Sequence, residues 1–141
     1  MTGPAEDSVA EQGLGGLQVR VERKGTVRIL ALAGELDHDT VGELRAALVR
    51  RPDDGIDRIV VDLDGLRFCD SSGLNALLRA RIDGEAAGSA LELAAPRPAV
   101  ARLLAVTGAD SVLRVHPDVT TALKAPGPGE RHDATPTQDQ G

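Results

Sequence analysis

The chain has 141 residues, 41% apolar and 1% aromatic, with a formal charge of −6. That length suffices for one domain with a real core, which must be built from Leu, Val, Ile and Ala. One Phe, no Trp, no Tyr and an acidic balance exclude the stacking surfaces and basic footprint of a nucleic-acid binder.

The acidity is concentrated at the ends. Residues 1–16 carry Glu6, Asp7 and Glu11 with no Lys or Arg, and residues 125–141 carry Glu130, Asp133 and Asp139 against Arg131. Neither end has hydrophobic periodicity, so both read as disordered tails around one domain at 17–124. No basic-then-apolar leader opens the chain, and no apolar run approaches the roughly 20 residues that span a bilayer. The expectation is a cytoplasmic protein without membrane contact. The single Cys69 excludes an intramolecular disulfide, and its neighbours suit a small buried hydrophobe.

In chain order, Leu17, Val19 and Val21 alternate with polar residues over 17–22, which predicts a half-exposed strand. Lys24-Gly25 signals a turn, and Val27–Ala33 predicts a second strand, giving a hairpin. Residues 34–40, Gly-Glu-Leu-Asp-His-Asp-Thr, end that strand. Asp39 or Thr40 can cap a helix whose apolar stripe is Val41, Leu44 and Leu48. Residues 51–57 form a polar loop. Ile59, Val60, Val61 and Leu63 predict a buried strand over 58–63. A 64–73 loop follows, and a helix then runs from Ser72 to about Ala87, with Leu74, Leu77, Leu78 and Ile82 on one face and Gly88 past its end. Leu91–Ala95 predicts a strand. Pro98 opens a helix with Val100, Leu103, Leu104 and Thr107 inward, and Gly108 ends it. Val112–Val115 is a last strand, and Pro117-Asp118 starts a final helix with Val119, Ala122 and Leu123 inward.

The order β-β-α-β-α-β-α-β-α predicts a single α/β domain. Its mixed sheet has about five strands, an opening antiparallel hairpin with the remainder parallel, packed with about four helices. Functional loops in such sheets gather beyond the carboxyl ends of strands. Asp37, His38, Ser71 and Ser72 are therefore expected on one surface.

Asp70-Ser71-Ser72-Gly73 opens a helix, where unpaired N–H groups and the helix dipole favour a capping oxygen or a phosphate. From these residues alone, a plain cap and a phosphoryl-carrying site both remain open. Catalytic patterns are missing. Asp70 stands where a nucleophile elbow centred on Ser72 needs glycine. No oxyanion-hole glycine pair accompanies a Ser71–His38 pairing, although that pairing leaves a small serine hydrolase as one alternative. No phosphate-cradling G-x-x-x-x-G-K sequence occurs. His38, His116 and His132 are too scattered to make a metal site with one cysteine. Asp62 and Asp64 share a strand face and read as solvated strand-end acids. No enzyme, cofactor or metal is expected.

Gly34–Thr40, Asp62-Leu63, Phe68-Cys69-Asp70-Ser71-Ser72-Gly73-Leu74 and Ala95-Pro96 with Pro98-Ala99-Val100 together resemble the bacterial anti-sigma factor antagonists of the STAS family, over about residues 17–124. The resemblance implies a STAS domain that binds an anti-sigma factor which is also an ATP-using serine kinase, and so frees a sigma factor. It implies phosphorylation at Ser71, loss of binding, and reversal by a metal-dependent serine phosphatase. It places Asp37, His38, Asp39, Asp70, Ser71, Ser72, Gly73 and Asn75 at the partner-facing surface. Asn75 stands where the family commonly has glycine, and Cys69 where it has Met or another apolar residue. A second alternative within the family is a scaffold subunit of a stress-sensing complex or a lipid-transport ATPase.

Overall fold

The computed structural model describes residues 16–49 and 53–127. The two expected tails lie outside the described residues, apart from Gly16 and residues 125–127. Strands β1 (Leu17–Lys24) and β2 (Val27–Leu36) pair antiparallel, with Lys24 opposite Val27. Gly25 takes a φ of 63° in the two-residue turn, which an L side chain adopts with difficulty. Strands β3 (Arg58–Cys69), β4 (Ala90–Ala94) and β5 (Arg114–His116) follow in parallel, in the spatial order β1-β2-β3-β4-β5. The helices are α1 (Val41–Ala47), α2 (Ser71–Ala86), α3 (Pro98–Thr107) and α4 (Val119–Lys124). Among the described residues, this is the five-stranded mixed sheet with four helices that the sequence pattern predicts.

The main core lies on one face of the sheet. Leu30, Leu32, Val61, Leu63 and Leu93 pack there with Leu44 of α1, Leu74 and Leu77 of α2, and Val100 and Leu104 of α3. The other face carries a smaller cluster of Val60, Ala94 and Ala122, covered by α4. Each buried Leu or Val is worth about 1.5–3 kcal/mol over its exposed form, so a core without aromatics is sufficient.

Strand β3 is six residues longer than its predicted end at Leu63. Its pairing with β2 continues through register shifts between Ala31 and Ala33 and between Gly34 and Glu35. Such bulges break strict alternation, so Asp64, Gly65 and Arg67 make this stretch look like a loop in the sequence although Leu66 is buried in the core. Gly65 permits the close approach, since a Cβ there would stand 2.8 Å from the Leu32 carbonyl oxygen. Asp62 and Asp64 are therefore inside a strand rather than at its end, and the Asp64 amide donates to Asp62 Oδ1 at 3.1 Å. Thr107, predicted inward, is exposed, and its hydroxyl donates to the Leu103 carbonyl at 2.7 Å. The last strand starts two residues late because a 3₁₀ turn, Ala109–Ser111, comes first and buries Leu113.

A polar cluster is buried against β4. Glu92 of β4 is 1% exposed, and its Oε1 lies 2.8 Å from Arg58 Nη2 and 2.8 Å from His116 Nε2. Arg58 also donates to the carbonyls of Ala122 and Ala125. The guanidinium thus satisfies terminal carbonyls of α4 from inside the molecule, where a helix end has no partners of its own. Ala125, predicted to begin the tail, is bonded to the domain.

Candidate functional site

The last residue pair between β2 and β3 is Leu36 with Cys69. The chain leaves both strands at this edge, through Asp37 on one side and Asp70 on the other. The Asp70 amide donates to the Leu36 carbonyl at 3.1 Å, joining the two exits.

The first exit is a tight polar turn. Asp37 Oδ1 accepts the amides of Asp39 at 3.0 Å and Thr40 at 3.1 Å. The Thr40 hydroxyl accepts the Asp37 amide at 2.9 Å and donates to the Glu35 carbonyl at 3.0 Å. The sequence pattern offered Asp39 or Thr40 as a side-chain cap of α1. Thr40 is the cap by position, but its hydroxyl turns back into the loop and makes no capping bond. His38 and Asp39 project outward with side chains 76% and 80% exposed, 3.2 Å apart.

The second exit begins α2. Asp70 is its N-cap, with Oδ1 accepting the amides of Ser72 at 2.9 Å and Gly73 at 3.2 Å. Ser71 is the first helical residue and is exposed, while Ser72 is half-buried. Asn75 lies one turn beyond Ser71 on the same exposed face. Asp37, His38, Ser71 and Ser72 thus lie at one edge of the sheet.

Gly73 is different. It is buried, and a Cβ on it would come within 2.5 Å of Leu36 Cγ and 3.0 Å of Cys69 Sγ. It lets the start of α2 sit against β2, and it does not reach the surface. Cys69 beneath it is half-buried, and burial, with Asp70 alongside, pushes its thiol up to about 11. It stays protonated at neutral pH, as a packing residue would. Phe68, at the end of β3, is 49% exposed beside this edge. The signal available in the sequence was its being the sole aromatic in a chain whose core needs none. Across the same strands, Arg67 pairs with Glu35 at 2.9 Å.

Among the described residues, no three His, Cys, Asp or Glu side chains form a metal-binding group, and no helix is long and apolar enough to cross a membrane. No hydrogen bond joins Ser71 to His38 among them, and the His38 ring instead lies against Asp39.

Residues 19–115 match the family described as Mlab, STAS domain. This chain belongs to the STAS family. It is 33% identical over 113 residues to the anti-sigma F factor antagonist of Paenibacillus polymyxa, covering 76% of this chain and 92% of that protein. An anti-sigma factor antagonist from Mycobacterium paratuberculosis has a similar crystal structure, with TM-score 0.69 and 26% identity over 77% of this chain and 92% of the other. The Bacillus cell fate determinant SpoIIAA in its phosphorylated form superposes with TM-score 0.56 at 25% identity, over 70% of this chain and 90% of that one.

Proposed function

We propose that this chain is an anti-sigma factor antagonist. Its unphosphorylated form binds an anti-sigma factor that is also a serine kinase, and so releases a sigma factor. Phosphorylation of Ser71 ends that binding, and a metal-dependent serine phosphatase restores it. The kinase brings the ATP; this chain is its substrate and not a catalyst. Asp37, His38, Asp39, Asp70, Ser72 and Asn75 border the contact. The relatives of the same description support the reading. The observation that carries it is Ser71, an exposed hydroxyl at the first position of α2, held next to the Asp37 turn by the Asp70–Leu36 bond.

The local chemistry suits a switch of affinity rather than of fold. A phosphate adds about −1.5 to −2 charge at pH 7. The amides of Ser72 and Gly73 at the start of α2 are already taken by Asp70 Oδ1. The phosphate then remains beside a carboxylate and faces the partner, instead of folding back onto the helix. Weakening binding 100-fold takes about 2.8 kcal/mol, which a dianion in a desolvated contact shaped for a hydroxyl supplies.

The test compares Ser71→Ala and Ser71→Glu for binding to the cognate kinase, with intact mass read after incubation with ATP. Ser71→Ala is expected to bind like the wild type and gain no phosphate. Ser71→Glu is expected to bind at least about tenfold more weakly, a loss of about 1.4 kcal/mol. Equal binding by both would remove the switch from Ser71. Loss of phosphate in Ser72→Ala alone would move it to the neighbouring hydroxyl.

A further inference from the structure

Helices α1 and α2 leave a groove of about 700 Å³ between them. Its lining includes the buried Leu48 and Ala76, the exposed Arg45 and Arg79, one acid, Asp83, and Asn75 at the end nearest Ser71. Among the described residues, the ion pairs involve neither Arg45 nor Arg79. An apolar base flanked by two uncommitted guanidinium groups suits an acidic segment with a few apolar side chains.

The chain carries such a segment. Residues 1–15 contain Glu6, Asp7 and Glu11, no Lys or Arg, and the apolar Val9 and Leu14. They join the domain at Gly16, whose carbonyl accepts the Glu35 amide at 2.6 Å and which lies against Thr40, the residue before α1. Arg45 is five residues further along, about 7.5 Å of helix rise. Fifteen extended residues reach roughly 50 Å, so the whole groove is within range. Residues 128–141 have no such position. They follow Ala125, which is bonded to Arg58 at the start of β3, the opposite end of the sheet from Asp70. They also offset their acids with Arg131.

We propose that residues 1–15 dock in the α1–α2 groove as an internal acidic ligand for Arg45 and Arg79. Because Asn75 lines the groove one turn from Ser71, the docked segment borders the phosphorylation surface. Competition with the kinase follows only on the reading of Ser71 given above; the docking itself does not depend on it.

The experiment compares backbone amide NMR spectra of the full chain and of a chain beginning at Gly16. The amides of Arg45, Ala76, Arg79 and Ala80 are expected to shift on truncation. A synthetic peptide of residues 1–15 should move them back at concentrations on the order of mM, the range of a short tether. Raising salt from about 0.05 M to about 0.5 M should drive the full chain toward the truncated positions. Arg45→Glu with Arg79→Glu should abolish the difference between long and short chains. Shifts confined to Gly16, Glu35 and Thr40 would overturn the docking. Groove shifts that follow removal of 128–141, or that follow protein concentration, would also overturn it by assigning the groove to the other end or to a second copy. Truncation is further expected to tighten kinase binding. Groove shifts with unchanged kinase affinity would overturn the competition while leaving the docking in place.

Discussion

The amide of Asp70 donates to the carbonyl of Leu36 at 3.1 Å, so the two strand exits that carry the candidate surface share one hydrogen bond. Leu36 also packs against Gly73, the third residue of α2. One residue of β2 therefore fixes both where α2 starts and how closely it approaches the sheet. The height at which Ser71 is presented follows from that contact.

Asp70→Ala removes the acceptor for two amides at the start of α2. The expected cost is about 1 kcal/mol, within a range of roughly 0.5–2. Asp70→Asn, which also caps, should lose much less. Urea unfolding midpoints of the three chains check this, and equal midpoints for Ala and wild type would mean that the cap does not hold the helix.

Gly73→Ala should destabilise even though alanine is the better helix former by up to about 1 kcal/mol. The added methyl meets Leu36 Cγ at 2.5 Å and Cys69 Sγ at 3.0 Å, and overpacking of this kind costs about 1–3 kcal/mol. In a double-mutant cycle with Leu36→Ala, the two losses should sum to more than the loss in the double variant, because the smaller residue relieves the clash. Additive losses would place the strain elsewhere.

Glu92→Ala leaves Arg58 and His116 buried without their shared carboxylate. Breaking one side of a buried ionic cluster costs about 3–5 kcal/mol. Hydrogen exchange should quicken first in α4, whose terminal carbonyls Arg58 holds. The Ser71 end of α2 should keep its protection. A variant that is uniformly loosened would show that the cluster supports the whole sheet and not α4 in particular.

Cys69 should react slowly with thiol reagents in the native state. Burial first, and the Asp70 charge second, raise its thiol from 9.0 to about 11. Two units leave about 100-fold less thiolate at neutral pH than a free cysteine has. A group whose folded value is raised gives stability that is complete below its unfolded value. That stability is lost as pH rises through the folded value. The chain should therefore lose stability between about pH 9 and pH 11, and Cys69→Ala should flatten that alkaline slope. Rates of reaction with a disulfide reagent in buffer and in urea test the first point, and unfolding midpoints across the alkaline range test the second.

Local pattern made most of the architecture legible. Alternation over β1 and the Lys24-Gly25 turn give the hairpin, the spacing of Leu74 and Leu77 gives α2, and Pro98 and Gly108 bracket α3, because each signal lies within a few residues of the element that it specifies. The Asp-Ser-Ser-Gly run marked the helix start at the candidate site for the same reason: such a start has a chemistry that can be read in four residues. The far half of β3 was not legible, since its strand geometry depends on pairing with β2 through bulges that erase the period.

By itself, then, the sequence determined the order of elements, the pairing of the first two strands, and a hydroxyl offered at the start of a helix. These follow from backbone geometry and from which side chains must leave water. The tertiary structure alone decided that Gly73 is a packing contact under Leu36, that Phe68 faces outward, and that Glu92 is sealed between Arg58 and His116. Those outcomes depend on which surfaces meet across the sheet. In Ala-Leu-Glu-Leu-Ala, the glutamate reads as the solvated side of a strand, and only α4, arriving some thirty residues later, takes it out of water.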